Sequence, residues 1–187
     1  GVIGQMMEKV VLPEQRPRLT NEEVMARCPW ATFGKLKHRG PNIVTSLELD
    51  PAEMEKRNIH LQQKYAEIEE KEVRYEEIHC DDAEYLIVAF GSCARIAQKA
   101  MEEARAEGIK VGLLRPITLW PFPSKAIAER SRQVKGILTV ELNAGQMVED
   151  VRLAVECKVP VEYFGRLGGI VPDPDEVVTA LKEKIIK

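Results

Sequence analysis

A three-layer α/β/α fold, with helices on both faces of a mostly parallel sheet, is predicted for the larger carboxyl-terminal part of this 187-residue chain. From Tyr85 onward, apolar runs of strand length alternate with helix-periodic segments, the pattern of a parallel sheet with crossover helices. The runs are almost continuously apolar, as in strands covered on both faces. Helix start and stop residues fall between them where such a layout requires.

Residues 1–50 lack sustained periodicity, and Pro13, Pro17, Pro29 and Pro41 interrupt them too often for long helices. They read as an extended arm or the end of a preceding domain. Their apolar residues (Met6, Met7, Val10, Val11, Leu12, Trp30, Phe33) need another surface to cover them. Asp50-Pro51-Ala52-Glu53 marks a helix start, with Asp50 as cap, Pro51 at the first helical position and Glu53 closing a capping box. Met54, Leu61, Tyr65 and Ile68 then share one face. Glu67, Glu69, Glu70 and Glu72 make the rest acidic, so 51–72 reads as a packed linker helix. A membrane-surface or calmodulin-binding helix needs a basic polar face instead.

Residues 73–187 form the α/β domain. Val73–Ile78 alternates partially and suits an edge strand. Tyr85–Phe90 is the first buried strand. Ser92, as cap, opens a helix striped with Ile96, Ala97, Ala100, Met101 and Ala104, which Gly108 stops. Lys110–Leu114 is the next strand, followed after a proline cluster by a short helix marked by Ala126, Ile127 and Val134. Gly136–Glu141 is the third, with Val148, Val151 and Val155 striping its helix, and Val159–Phe164 the fourth. Asp173-Pro174-Asp175-Glu176 repeats the capping pattern ahead of Val177, Val178, Leu181 and Ile185.

A hydrophobic content of 44%, 30% charged residues and a net charge of −3 describe a globular protein and argue against a nucleic-acid binder, which needs a clustered basic face. Lys35, Lys37, His38 and Arg39 form the only short basic run, read as a solvated loop. No apolar run approaches the roughly 20 residues of a membrane span, and no signal peptide is visible. The four cysteines (Cys28, Cys80, Cys93, Cys157) lack the close spacing of an iron–sulfur site; Cys93 after a strand and Cys157 in a helical pattern read as small buried hydrophobes in a reducing cytosol. His38, His60 and His79 fit no zinc pattern.

Polar groups at a strand's carboxyl end are the strongest candidates for a site, since open α/β sheets bind there. The strand ending at Glu141 is followed by Asn143, Gly145 and Gln146, with Gln146 in the first helical turn. Glu141, Asn143 and Gln146 are candidates for a cleft or interface, and Asn143 and Gly145 tolerate the positive φ of a sharp turn. No histidine or cysteine lies nearby in sequence to act as nucleophile or base. Arg115 ends the second strand, read as a salt bridge to Glu141 in preference to a substrate clamp. Trp120 and Phe122, flanked by prolines, form an apolar knob for a domain contact or a core plug, with a contact favoured. Gly91-Ser92-Cys93 lacks the further glycines of a dinucleotide fingerprint.

The strand ending in Gly91-Ser92, the strand followed by Pro121-Phe122-Pro123, and Glu141-x-Asn143-x-Gly145-Gln146, in that order, resemble the carboxyl-terminal part of the alpha subunit of 2-oxoacid:ferredoxin oxidoreductases, most nearly the 2-oxoisovalerate type. Asn42–Leu47 through Leu61–Tyr65 is similar to that family's linker, and Tyr85–Lys187 looks like a transketolase carboxyl-terminal domain. The resemblance implies a five-stranded sheet with one antiparallel edge strand, supplied by Val73–Ile78. It implies a cytoplasmic parent enzyme that oxidatively decarboxylates a 2-oxoacid to an acyl-CoA and passes electrons to ferredoxin. That enzyme uses thiamine diphosphate with Mg2+, an iron–sulfur cluster and CoA, together with beta (pyrophosphate-binding) and gamma or ferredoxin-like subunits. The catalytic and metal-binding groups of such an enzyme lie in a preceding domain and in partner subunits. This chain then holds no cofactor and is inactive alone. Val2–Glu8 reads as the tail of a preceding domain. The alternatives are a free-standing small-ligand-binding α/β module and the beta subunit of a lipoamide-linked 2-oxoacid dehydrogenase.

Overall fold

The computed structural model describes residues 12–31, 40–41 and 46–186. Most of the apolar residues expected to anchor the arm, the Lys35–Arg39 run and Asn42–Thr45 lie outside the described residues. The described residues fall into two units, divided between His60 and Leu61.

In the first unit, Thr20 caps the short helix α1 (Asn21–Arg27) in a reciprocal capping box with Glu23. Helix α2 spans Pro51–Lys71. Asp50 caps it as expected, its carboxylate accepting from Ala52 N (2.8 Å) and Glu53 N (3.4 Å). Glu53 does not close the box. Its carboxylate turns to Lys56 at 2.6 Å, one turn along the same exposed face. No residue of α2 is fully buried, but Met54, Leu61 and Ile68 of the apolar stripe are half-buried while the acidic face is exposed.

The second unit is the α/β sheet. Its strands are β1 (Tyr75–Ile78), β2 (Tyr85–Ala89), β3 (Val111–Pro116), β4 (Ile137–Glu141) and β5 (Val161–Gly165), ordered β1-β3-β2-β4-β5. β1 pairs antiparallel with β3, Glu76 opposite Arg115, and the other pairs are parallel. The expected sheet, including its antiparallel edge, is thus present. Helix α3 (Gly91–Ala106) follows β2, α4 (Ser124–Arg130) follows β3, α5 (Met147–Val155) follows β4, and α6 (Pro174–Leu181) follows β5, with a π-helical turn at Lys182–Ile186.

Side chains alternate across the sheet because a strand repeats every two residues. Ile87, Leu113, Leu138 and Val140 face α3 and α6, where Ala97, Ala100, Met101, Val177 and Leu181 complete one buried cluster. Leu86, Val88, Leu114 and Ile137 face α4 and α5, meeting Ile127, Val148 and Val151 in a second. The alanine stripe of α3 lets that helix lie close to the sheet. The buried hydroxyl of Thr139 donates to Glu162 O at 3.1 Å, so it is satisfied within the sheet.

Local signals hold with small displacements. Gly108 N bonds Arg105 O and Ile109 N bonds Ala104 O, the paired bonds that terminate α3. Asp173 and Glu176 form the expected capping box of α6. Ser92 is not the cap of α3: the chain turns at Gly91, the helix starts two residues earlier than a Ser92 cap implies, and Phe90 holds the cap position without a side-chain bond. Val134 lies beyond α4, the buried residue of an otherwise exposed turn that leads to β4.

Candidate functional site

β2 and β4 are neighbours in the sheet, yet the helices that follow them lie on opposite faces. The carboxyl ends of these two strands therefore flank the crevice in which open α/β sheets bind ligands. Glu141 ends β4 there and is fully buried, 0% exposed. Its Oε2 accepts from Met147 N (2.8 Å), Gln146 N (3.1 Å) and Asn143 Nδ2 (3.1 Å), and its Oε1 accepts from Val148 N (3.0 Å). Free N–H groups at a helix start attract an anion, and here the strand supplies one internally. Glu141 is thus committed to the start of α5 and presents no face to an outside ligand.

The rest of the turn is held from two sides. Asn143 Oδ1 accepts from Gly145 N at 2.7 Å, and the Tyr163 hydroxyl donates to Asn143 O. Gly145 sits at φ +101°, which side chains disfavour, and a Cβ there would also come 3.2 Å from Val148 Cγ1. At Gly165 a Cβ would meet the Tyr163 hydroxyl, so glycine is what lets the tyrosine lie against the turn. Asn143 and Gly145 are half-buried, and Gln146 is the exposed N-cap residue, one position before the helical turn expected for it. The pattern Glu-x-Asn-x-Gly-Gln therefore encodes a self-satisfied turn whose outward parts are Leu142, Ala144 and Gln146.

Arg115 does not pair with Glu141. β2 lies between their strands, and the antiparallel register puts Glu76 opposite Arg115, whose Nη1 donates to it at 3.0 Å. The Arg115 Nε is buried and without a partner among the described residues. Phe122 packs half-buried against the α4–α5 side of the core, whereas Trp120 is 55% exposed. The knob thus divides between a plug and a surface group. Tyr65 on α2 meets the Trp120 ring edge-on at 5.7 Å and 85°. Beside this pair, the end of α2 (Ala66, Glu69, Glu70), Tyr75 and the loop into α4 enclose a cleft of about 790 Å3.

Two features were absent from the sequence reading. Tyr163, the anchor of the Asn143 turn, looks like any aromatic in a strand, and only its register opposite Thr139 on the neighbouring strand reveals it. The second is a row of exposed apolar residues along the carboxyl edge: Ile117 and Leu119 after β3, Leu142 after β4, and Leu167, Ile170 and Val171 after β5. Each is unremarkable alone. Their alignment depends on strand order.

Burial pushes the Cys93 thiol up to about 11, with the Glu141 charge adding to the effect. Tyr163 is raised by the same two causes in the same order. Neither group is an activated nucleophile. Among the described residues no three histidine, cysteine or carboxylate side chains converge as a metal site, and no helix is long and apolar enough to cross a membrane.

Residues 83–177, about half of the chain, match the family model of pyruvate:ferredoxin oxidoreductase core domain II. The chain is 46% identical over 183 residues to ketoisovalerate oxidoreductase subunit VorB of Methanothermobacter thermautotrophicus, covering 98% of this chain and 50% of that one. It is 30% identical over 175 residues to 2-oxoglutarate synthase subunit KorA of Archaeoglobus fulgidus, covering 92% and 48%. The chain therefore spans about half the length of the curated relatives it matches. Among solved structures, 2-oxoglutarate:ferredoxin oxidoreductase from Magnetococcus marinus, with 2-oxoglutarate, coenzyme A and succinyl-CoA bound, superposes with a TM-score of 0.66 at 24% identity, over 79% of this chain and 27% of that one. An inactive beta4 tetramer of a split-gene transketolase gives 0.52 at 22% identity, over 59% and 40%. At such identities the two likenesses describe the fold.

Proposed function

Because the chain belongs to the pyruvate:ferredoxin oxidoreductase core domain II family, we propose that it is the carboxyl-terminal assembly domain of a 2-oxoacid:ferredoxin oxidoreductase alpha subunit of the 2-oxoisovalerate type. In this reading 1–50 is an arm or the end of a pyrimidine-binding domain, 51–72 a linker and 73–187 the assembly domain. The parent enzyme is cytoplasmic and oxidatively decarboxylates 2-oxoisovalerate to an acyl-CoA. Its partners are a beta (pyrophosphate-binding) subunit, a gamma or ferredoxin-like subunit, and ferredoxin. Thiamine diphosphate with Mg2+, an iron–sulfur cluster and CoA belong to that larger assembly.

Among the described residues, a pyrophosphate at the start of α5 and an iron–sulfur cluster on the buried cysteines do not fit the donors present. The N–H groups opening α5, where a pyrophosphate would find free donors, already hold Glu141. Cys80 and Cys93 are buried apart from each other on opposite faces of the sheet. A cluster needs thiolates side by side. No catalytic step is therefore assigned to these residues.

The observation that supports an assembly role is the apolar row along the carboxyl edge. Exposed apolar residues gathered at one end of a sheet suit an interface, and that end is where α/β domains meet ligands and partners. Arg115, Trp120 and Phe122 flank one end of the row, and the turn from Glu141 through Asn143 and Gly145 to Gln146 fixes Leu142 in its middle. Leu142→Ser and Leu167→Ser test it in the assembled enzyme. Burying a leucine contributes about 1.5–3 kcal/mol, so each change should weaken subunit association about tenfold or more while leaving the melting of the isolated chain unchanged. Unaltered association in both variants would place the contact elsewhere.

A further inference from the structure

We propose that the cleft between the end of α2 and the Trp120–Ser124 loop is a docking site for a basic segment of a partner protein, with an arginine seated between Trp120 and the carboxylates of Glu69 and Glu70. The cleft lies on the β1 side of the sheet, away from the Glu141 turn, and the proposal does not depend on the family's chemistry.

Its form follows from residue choice. The α2 residues lining it are Ala66, Glu69 and Glu70, and no large apolar side chain from the helix fills the space. The opposite wall is apolar and aromatic: Tyr75, Trp120, Pro121 and Phe122. At about 790 Å3 it has room for several side chains of a peptide. Trp120 is exposed, but the edge-on contact with Tyr65 orients its ring before anything binds, which lowers the ordering cost of association.

Charge decides the occupant. Nearby, Glu67 is paired with Lys71 at the end of α2, and Glu72 with Arg74 just beyond it. Glu69 and Glu70 have no ion-pair partner among the described residues, so the cleft, lined by these two carboxylates and one lysine, is net negative beside an aromatic wall. Carboxylates beside an exposed indole are the surroundings that a guanidinium favours, through charge-assisted hydrogen bonds and attraction to the ring face. The single cation of the lining, Lys125, lies at the start of α4, where it can donate to a main-chain carbonyl of the docked segment. The apolar wall takes a neighbouring aliphatic side chain. An acidic or purely apolar segment would leave the two carboxylates repelled or desolvated without a partner.

The test uses the whole chain with Trp30→Phe, which leaves Trp120 as the sole tryptophan reporter. Two capped peptides serve as probes, Leu-Arg-Leu-Arg and its counterpart with glutamine in place of arginine. The arginine peptide should change Trp120 emission saturably, bind about tenfold more tightly than the glutamine peptide, and weaken as salt is added. Glu69→Gln with Glu70→Gln should reduce its affinity to that of the glutamine peptide, with an unchanged circular dichroism melt. Equal affinities for the two peptides, no response to either, or no effect of the double variant would overturn the proposal. So would a dimer of the chain that Trp120→Ala dissociates, which would put a second copy in the cleft.

Discussion

Replacing the Glu141 carboxylate by an amide isolates the structural function of the signature turn. Glu141→Gln preserves shape and burial but substitutes an NH2 donor for one oxygen. In the protein that pair of oxygens accepts four hydrogen bonds, three at Oε2 and one at Oε1. If the amide oxygen takes the Oε2 position, the NH2 faces Val148 N–H, donor against donor, inside a fully buried site. An unsatisfied buried donor costs about 1–3 kcal/mol. Losing the negative charge at the start of α5 costs about 0.3–1 kcal/mol more. The sum is a destabilisation of about 1.3–4 kcal/mol. Urea unfolding followed by circular dichroism should show a lower midpoint with an unchanged slope, as expected for a loss of stability without a change in exposed surface. Hydrogen exchange should speed first at Met147 and Val148. A midpoint that implies a loss below about 0.5 kcal/mol, the range of ordinary surface changes, would refute the cap assignment.

Arg130 ties α4 to β1 through a two-pronged pair with Glu77 (3.0 and 2.6 Å) and a 3.0 Å contact with Asp81. A double-mutant cycle on Arg130→Ala and Glu77→Ala should return a coupling of about 1–2 kcal/mol, because the pair is bidentate and three-quarters shielded; a coupling near zero would class it with ordinary exposed pairs. Burial first, and nearby carboxylates second, raise Cys80 and Cys93 to about 11. Their folded values exceed the unfolded ones, so the protonated forms stabilise the fold fully below about pH 8.5, and that contribution is lost as pH rises toward 11. Melting temperatures should fall across this window, and less so in Cys80→Ala/Cys93→Ala measured against its own neutral-pH value. At neutral pH exposed Cys157 should react with a thiol reagent well before Cys80 or Cys93, and the reverse order would contradict their burial.

The fold was legible because buried parallel strands write themselves as unbroken apolar runs: Tyr85–Phe90 and Gly136–Glu141 match β2 and β4 to within a residue. Helix ends were legible where the signal is local, as at Asp50, Gly108 and Asp173. Pairings across the sheet were not. The partner of Arg115 depends on which strand lies beside β3 and in what register, and no local spacing specifies that. Glu141 shows the same limit in another form. A carboxylate, an amide and a glycine after a strand fit an open cleft and a closed cap equally well. Which one forms depends on whether the following helix turns its N–H groups back onto the strand end. Ser92 illustrates the opposite case, in which a good capping residue is bypassed because a glycine immediately before it already makes the turn.

The central claim is that this chain organises a 2-oxoacid:ferredoxin oxidoreductase without contributing its catalytic centre. The most direct measurement is CoA-dependent ferredoxin reduction, assayed with 2-oxoisovalerate, pyruvate and 2-oxoglutarate, for the chain alone and for the parent assembly that contains it. No turnover by the chain alone is expected, and the assembly should show its highest kcat/KM with 2-oxoisovalerate. Turnover by the isolated chain, or an assembly that prefers pyruvate or 2-oxoglutarate, would contradict it.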